Sequence, residues 1–324
     1  VKALVCEAHG LPEALVLRDV ALPQLKPGTM RVKVGAVGIN FLDSLIIAGR
    51  YQVQPDIPFS PGSEVGGIVD AVADDVDGWS VGDRVAAMTT YGGLAEYVLV
   101  EASRAAKVPE SMDLATAAGF GVAYGTAIHA LDQRGRMQPS ETLLVLGAAG
   151  GSGLAAVEVG KAMGARVIAA ASSPEKCRLA AAHSADAAID YRQEELRAGI
   201  ARCTSGQGVD VIFDPVGGPL AEPAFRSLAP NGRHLVIGFA AGEIPSLPFN
   251  LALVKSASLV GVFWGAFTRR EPDRHRANME QLFQWHEEGK LTPLIDRRFT
   301  LAEGGLAIRH LMDRKAHGKV IVEI

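Results

Sequence analysis

Residues 142–163 constrain the fold of this chain more than any other stretch. Leu143-Leu-Val-Leu146 is an apolar strand-like run. It enters a turn with glycine at 147, 150, 151 and 153, and Leu154-Ala-Ala-Val-Glu-Val-Gly-Lys-Ala-Met163 follows with a helical pattern. Such glycines let strand, turn and helix pack closely, so that backbone N–H groups and the positive end of the helix face an anion that larger side chains would obstruct. Counted back from Gly153, the positions of a dinucleotide fingerprint fall on Ala148, Gly150 and Gly153. A pyrophosphate suits this turn, but so does an ordinary strand–helix connection, and other residues must decide between them.

From about Leu114 onward, helical stretches alternate with short apolar strands, the pattern of a doubly wound parallel sheet. The strands are expected at Thr142–Leu146, Arg166–Ala171, Ala187–Asp190, Val209–Asp214, Gly232–Gly238 and Ser258–Val262. The first third instead shows short strands punctuated by Gly and Pro, such as Arg31-Val-Lys-Val-Gly-Ala-Val37, and suits a β-rich, barrel-like domain with no parallel sheet. A helix around Arg276–Glu288, another near Ala302–Asp313 and a terminal strand from Lys319 return the chain to that first domain. The expectation is a Rossmann domain over residues 123–265, a discontinuous domain over 1–122 and 266–324, and an active site in the cleft between them.

At 324 residues with 48% hydrophobic content the chain can bury two cores. A net charge of −4 and the lack of a long basic run argue against a nucleic-acid partner. Glycines break the longest apolar stretches, so no membrane span is expected, and the N-terminus lacks a signal-peptide pattern, which implies a soluble cytoplasmic protein. Three cysteines without a CxxC pair exclude a disulfide framework and a thiolate-rich zinc lobe.

The end of the second Rossmann strand identifies the nucleotide. NAD-binding domains place a carboxylate there to hold the adenosine ribose. Here the position is Ala171, followed by Ser172, Ser173 and Lys176, two hydroxyls and a cation that suit a 2′-phosphate. NADP(H) is therefore favoured over NAD(H). A solvated lysine on a first helical turn, beside Glu175, is the competing reading of Lys176.

In the first domain, Asn40, Asp43, Tyr51, Pro61-Gly-Ser-Glu64 with Gly66-Gly67, Gly82-Asp-Arg-Val85 and Gly93-Leu-Ala-Glu-Tyr97 form a second cluster. With the glycine turn, Lys176, Tyr191, Asp214-Pro-Val-Gly-Gly218 and Gly318-Lys-Val320, the chain resembles the medium-chain dehydrogenase/reductase superfamily. The resemblance is closest to its zinc-independent quinone oxidoreductase branch and covers nearly the whole length. It implies a GroES-like barrel domain plus a Rossmann domain, NADPH as cofactor, a small quinone or other α,β-unsaturated carbonyl as substrate, and a homodimer pairing the sixth Rossmann strand. Zinc-dependent relatives carry a Cys three residues before the Asp and a His before the Glu; Asn40 and Ser63 stand there, so no metal site is expected.

The resemblance assigns Tyr51 to the anion left by hydride addition, as hydrogen-bond donor or as pocket lining. It assigns Asn40 and Asp43 to the nicotinamide or the substrate, although both residue types also serve ordinary turns. Cofactor contacts are implied for Thr126, Gly150, Gly151, Ser152, Gly153, Ser172, Lys176, Tyr191, Phe239, Phe263 and Lys319. The bland alternatives are core packing for Thr126, Phe239 and Phe263, and a solvated strand end for Lys319. Ser152 replaces the valine usual in that branch. Two other functions fit less well: an enoyl-thioester reductase, with Arg50, Arg269, Arg270, Arg274 and Arg276 as a basic rim, and an NADPH-binding redox sensor with little turnover.

Overall fold

The structure, a computed structural model, describes all residues from Val1 to Ile324. Its contacts divide the chain into two compact units. One comprises Val1–Val122, Phe267–Phe283 and Pro293–Ile324; the other comprises Ala123–Ala266 and Gln284–Thr292. The segment Gln284–Thr292, expected with the first domain, belongs to the second, as does Ala266. Thr292 explains the difference: its N–H and Oγ1 donate to the two carboxylate oxygens of Glu158 at 3.0 and 2.7 Å.

The second unit holds a six-stranded parallel sheet in the order Ala187–Asp190, Arg166–Ala171, Thr142–Leu146, Val209–Asp214, Leu228–Val236, Ser258–Gly261. That is the doubly wound order, with the strand preceding the glycine turn at the centre. Leu143 to Leu146 and Val167 to Ala170 are buried at every position. Helices cover both faces of a parallel sheet, so the usual polar alternation is absent. The helix Gly151–Ala162 presents an unbroken buried run from Gly153 to Gly160, and its Glu158 is the one charged residue in it. No helix is long and apolar enough to cross a membrane.

The first unit is built around the strand Thr29–Ile39. Its first half pairs antiparallel with Tyr97–Glu101, its second half with Lys319–Glu323, and its other edge with Glu64–Val72. Register shifts after Arg31 and Val34 bend it, so that one long strand serves three partners and the sheet curls. The sheet continues through Arg84–Met88 to Ala105–Lys107. Two glycines let the short helix Leu114–Ala118 lie on this sheet. A β-carbon at Gly38 would meet the Ala118 carbonyl oxygen at 2.0 Å, and one at Gly66 the Leu114 carbonyl oxygen at 2.3 Å. One edge departs from expectation: Ile295–Thr300, not anticipated as a strand, pairs parallel with Lys319–Glu323. Its Ile-Asp-Arg-Arg-Phe-Thr sequence is largely polar because the strand lies at an edge and none of its residues is fully buried.

Candidate active site

In the second unit, Gly147 turns the chain at φ +61° and Gly150 opens the helix Gly151–Ala162 in an extended conformation. The Gly150 N–H bonds to Gly147 O at 3.1 Å, and Leu154 N–H reaches Gly150 O at 2.8 Å. That leaves the N–H groups of Gly151, Ser152 and Gly153 without intrahelical acceptors, and no side chain caps them. A β-carbon at Gly153 would sit 2.2 Å from Gly147 O, against backbone that cannot yield. Three orphan donors on a helix whose first turn admits no bulk fit a pyrophosphate.

At the tip of the second strand, Ala171 is buried and offers no carboxylate. Ser173 caps the helix Pro174–Ala182, its Oγ accepting from Lys176 N–H at 3.2 Å, which sets the lysine one turn beyond the two serines. The Lys176 ammonium makes no ion pair. Tyr191 joins the group through its N–H, which donates to Ala171 O at 3.1 Å. Thr126 lies buried on the helix Gly121–Ile128, while Phe239 and Phe263 are exposed and are not core aromatics. Phe239 lies over the turn after Asp214, where a β-carbon on Gly217 would meet its ring at 2.8 Å.

In the first unit, Asn40 starts the helix Phe41–Ile47, and the Asp43 carboxylate accepts its N–H at 2.7 Å. This is ordinary helix-start chemistry, but here it is enclosed. Asp43 is fully buried; its Oδ2 also accepts from Ser63 Oγ at 3.2 Å, and its Oδ1 has no partner. Burial pushes the Asp43 carboxyl up to about 7, against the Asn40 and Gly62 N–H groups, the Ser63 hydroxyl and the Lys319 charge. Asn40 is committed at both ends of its amide. Its Nδ2 donates to Glu64 Oε2 at 3.0 Å and its Oδ1 accepts from Lys319 Nζ at 2.7 Å.

Lys319 therefore does not stand where the sequence put it. Its ammonium is buried and bonded to Asn40 and to Glu64 Oε2, the latter at 3.1 Å, instead of being held out to a phosphate. Pairing of the terminal strand with Thr29–Ile39 sets Val320 opposite Ile39 and so delivers Lys319 to this network. Glu64 completes it, with Oε1 accepting the Val122 N–H at 2.7 Å. The same contacts test for zinc. Asn40 and Ser63 supply no thiolate or imidazole, and a lysine ammonium takes the Glu64 oxygen, so this donor set does not fit the metal.

Tyr51 is half-buried against the first unit's core. Burial raises its hydroxyl above the ordinary tyrosine value, the Asp43 charge adds to this, and Arg269 and Arg104 oppose it. The hydroxyl stays protonated at neutral pH and is a competent hydrogen-bond donor. Arg104, which no sequence signal singled out, is buried in the same unit. Two further buried networks also escaped the sequence. Glu158 accepts from Tyr124, His183 and Thr292, and Asp214 holds His234 at 2.9 Å and the N–H groups of Val216 and Gly217 at 2.8 Å each.

Residues 26–110 match the family model of the alcohol dehydrogenase GroES-like domain, and residues 151–285 that of the zinc-binding dehydrogenases. The quinone oxidoreductase-like protein 2 of Rattus norvegicus is 38% identical over 324 residues, covering 100% of this chain and 92% of its own. Among solved structures, a mycobacterial protein complexed with NADPH superposes with a TM-score of 0.93 at 30% identity, over 100% of both chains. The Escherichia coli quinone oxidoreductase complexed with NADPH does so with a TM-score of 0.92 at 25% identity, again over 100% of both.

Proposed function

Because the chain belongs to the quinone oxidoreductase family of the medium-chain dehydrogenase/reductase superfamily, we propose that it is an NADPH-dependent oxidoreductase reducing a quinone or another α,β-unsaturated carbonyl. The open N-terminus of the helix Gly151–Ala162 carries the cofactor half of this reading, and the pyrophosphate is assigned to the N–H groups of Gly151, Ser152 and Gly153. Ser172, Lys176 and Tyr191, around the carboxylate-free tip at Ala171, are assigned to the 2′-phosphate. Thr126, Phe239 and Phe263 are assigned to the remainder of the nucleotide.

Bound NADPH would supply a hydride, and the acceptor would take up that hydride and one proton. Tyr51 is assigned to the oxygen that gains negative charge as the hydride arrives, because its raised hydroxyl remains a donor at neutral pH. Asn40, bonded at both ends of its amide, is a positioning residue that holds Lys319 and Glu64 in register. Asp43, with a carboxyl near 7, is assigned to holding a proton close to Tyr51.

A homodimer through the edge strand Ser258–Gly261 is part of the same proposal. That strand pairs on one side only and carries an exposed Leu259, and the helix Phe249–Lys255 that precedes it in the chain exposes Phe249 at 94% and Leu253 at 79%. Sedimentation of the purified protein tests this.

The activity is tested by NADPH oxidation with quinones, enones, enals and an enoyl-CoA, each repeated with NADH. Oxidation of NADPH by at least one class, with Tyr51→Phe losing about 100-fold in kcat, is the expected result. No oxidation by any acceptor overturns the reading.

A further inference from the structure

Arg104 lies at the end of the short helical turn Ala102–Arg104 with 3% of its surface exposed. No carboxylate pairs with it. Its two terminal nitrogens share a single acceptor, Thr90 Oγ1, at 3.4 Å each, and its Nε has no partner. Five donors in a fixed fork are thus met by one hydroxyl at the far limit of hydrogen bonding. A second cation bears on it, since Arg269 repels it while Glu101 attracts it only from beyond ion-pair distance. Arg269 likewise makes no ion pair. Buried guanidinium groups are normally neutralised by a partner, because an isolated charge is costly to take out of water.

The backbone at its acceptor is strained as well. Thr90, the sole acceptor, sits at φ +74°, a conformation that a β-branched residue rarely adopts. Strain of this kind persists where surrounding structure over-determines it, and it gathers at ligand clamps. Thr90 is buried and held by its N–H to Ser63 O at 3.3 Å, on the residue whose hydroxyl reaches Asp43. The Tyr51 hydroxyl lies in the field of both arginines, which puts them within electrostatic reach of the acceptor assigned to it.

Resting on the assignment of Tyr51 to the acceptor's developing oxyanion, we propose that Arg104, with Arg269, recognises a carboxylate carried elsewhere on that acceptor, so that the preferred substrates are conjugated keto acids or acidic quinones. A carboxylate supplies what the cluster lacks: a planar pair of oxygens matching the guanidinium fork, and a negative charge shared between two cations that otherwise repel.

The test compares 3-benzoylacrylate with its methyl ester as NADPH-dependent acceptors, and measures binding of the non-reducible 3-benzoylpropionate by calorimetry. The expected result is a kcat/KM preference for the acid of about 10- to 100-fold, the scale of a charge-assisted bidentate contact. In Arg104→Met that preference collapses through the KM of the acid, calorimetric binding is lost, and Arg104→Lys recovers part of both. Arg104→Met should melt no lower than the parent, because it removes a buried charge rather than a structural ion pair. Equal use of acid and ester by the parent, a preference that survives in Arg104→Met, or an equal loss for both acceptors overturns the proposal. If neither acceptor is reduced but benzoylpropionate binds through Arg104, the acid site stands and the hydride-transfer reading falls. Quinone reduction with neither binding nor preference leaves the reverse.

Discussion

Asp43 makes the stability of the first unit depend on pH in a direction opposite to that of most carboxylates. Its folded-state value of about 7 lies above the ordinary 3.8 because the side chain is fully buried. Between those values the folded protein holds a proton that the unfolded chain has lost. The stabilisation is therefore complete below the unfolded value and is lost as pH rises through 7. At 1.36 kcal/mol per unit the whole span amounts to about 4 kcal/mol, of which about 2 kcal/mol falls between pH 5 and 7. Asp43→Asn removes the titration and keeps the shape. The amide oxygen can accept from Asn40 N–H and Ser63 Oγ, as Oδ2 does now, while the amide nitrogen falls at Oδ1, which has no partner. Protonated Asp43 carries an equivalent unmet donor, so the two proteins should be nearly equal in stability at about pH 4. The variant should become the more stable as pH rises, levelling off above 7. Urea unfolding across this range gives the difference, and hydrogen exchange in the strand Glu64–Val72 isolates the first unit from the second. A stability difference between Asp43→Asn and the parent that does not change with pH would refute the reasoning.

Four further outcomes follow from particular contacts. Gly153→Ala places a β-carbon 2.2 Å from Gly147 O, and should open the glycine turn, raise the calorimetric Kd for NADPH and destabilise the second unit by about 1–3 kcal/mol. Lys176→Ala should weaken NADPH binding by about 1–3 kcal/mol with little effect on NADH, read by titration with each nucleotide; equal losses would remove Lys176 from the 2′-phosphate. Glu158→Gln should lower the melting temperature, because a buried carboxylate that accepts from Tyr124, His183 and Thr292 gives way to an amide that cannot accept from all of them. Burial pushes the Glu158 carboxyl up, but these bonds outweigh it and hold it below its ordinary value. Its contribution is therefore full above the ordinary glutamate value and lost as pH falls through the lowered one, and the melting temperatures of parent and Glu158→Gln should converge on acidification.

What was legible in the sequence was whatever a local steric or hydrophobic rule determines. The glycine turn could be read because a β-carbon at Gly153 has nowhere to go, and the parallel sheet because Leu143 to Leu146 is apolar without interruption. The edge strand Ile295–Thr300 could not, since a strand with no fully buried residue carries little apolar alternation to mark it. Lys319 shows a different failure. A lysine near the end of a nucleotide-binding chain suggests a phosphate, yet its partners Asn40 and Glu64 are fixed by how the terminal strand registers against Thr29–Ile39, and nothing local to residue 319 encodes that pairing. Arg104 is the extreme case. In the sequence it is one arginine after a strand, where solvation is the default, and only folding shows that Thr90 is its sole acceptor and that Arg269 repels it. A motif marks residues that many proteins need for the same reason, whereas a buried charge without a counter-ion is defined by what its neighbours fail to supply. On the proposed function, the shared chemistry of hydride transfer is therefore assigned to residues with a recognisable pattern. The choice of acceptor, on the proposal made for Arg104, is assigned to a residue whose meaning arises only when distant parts of the chain meet.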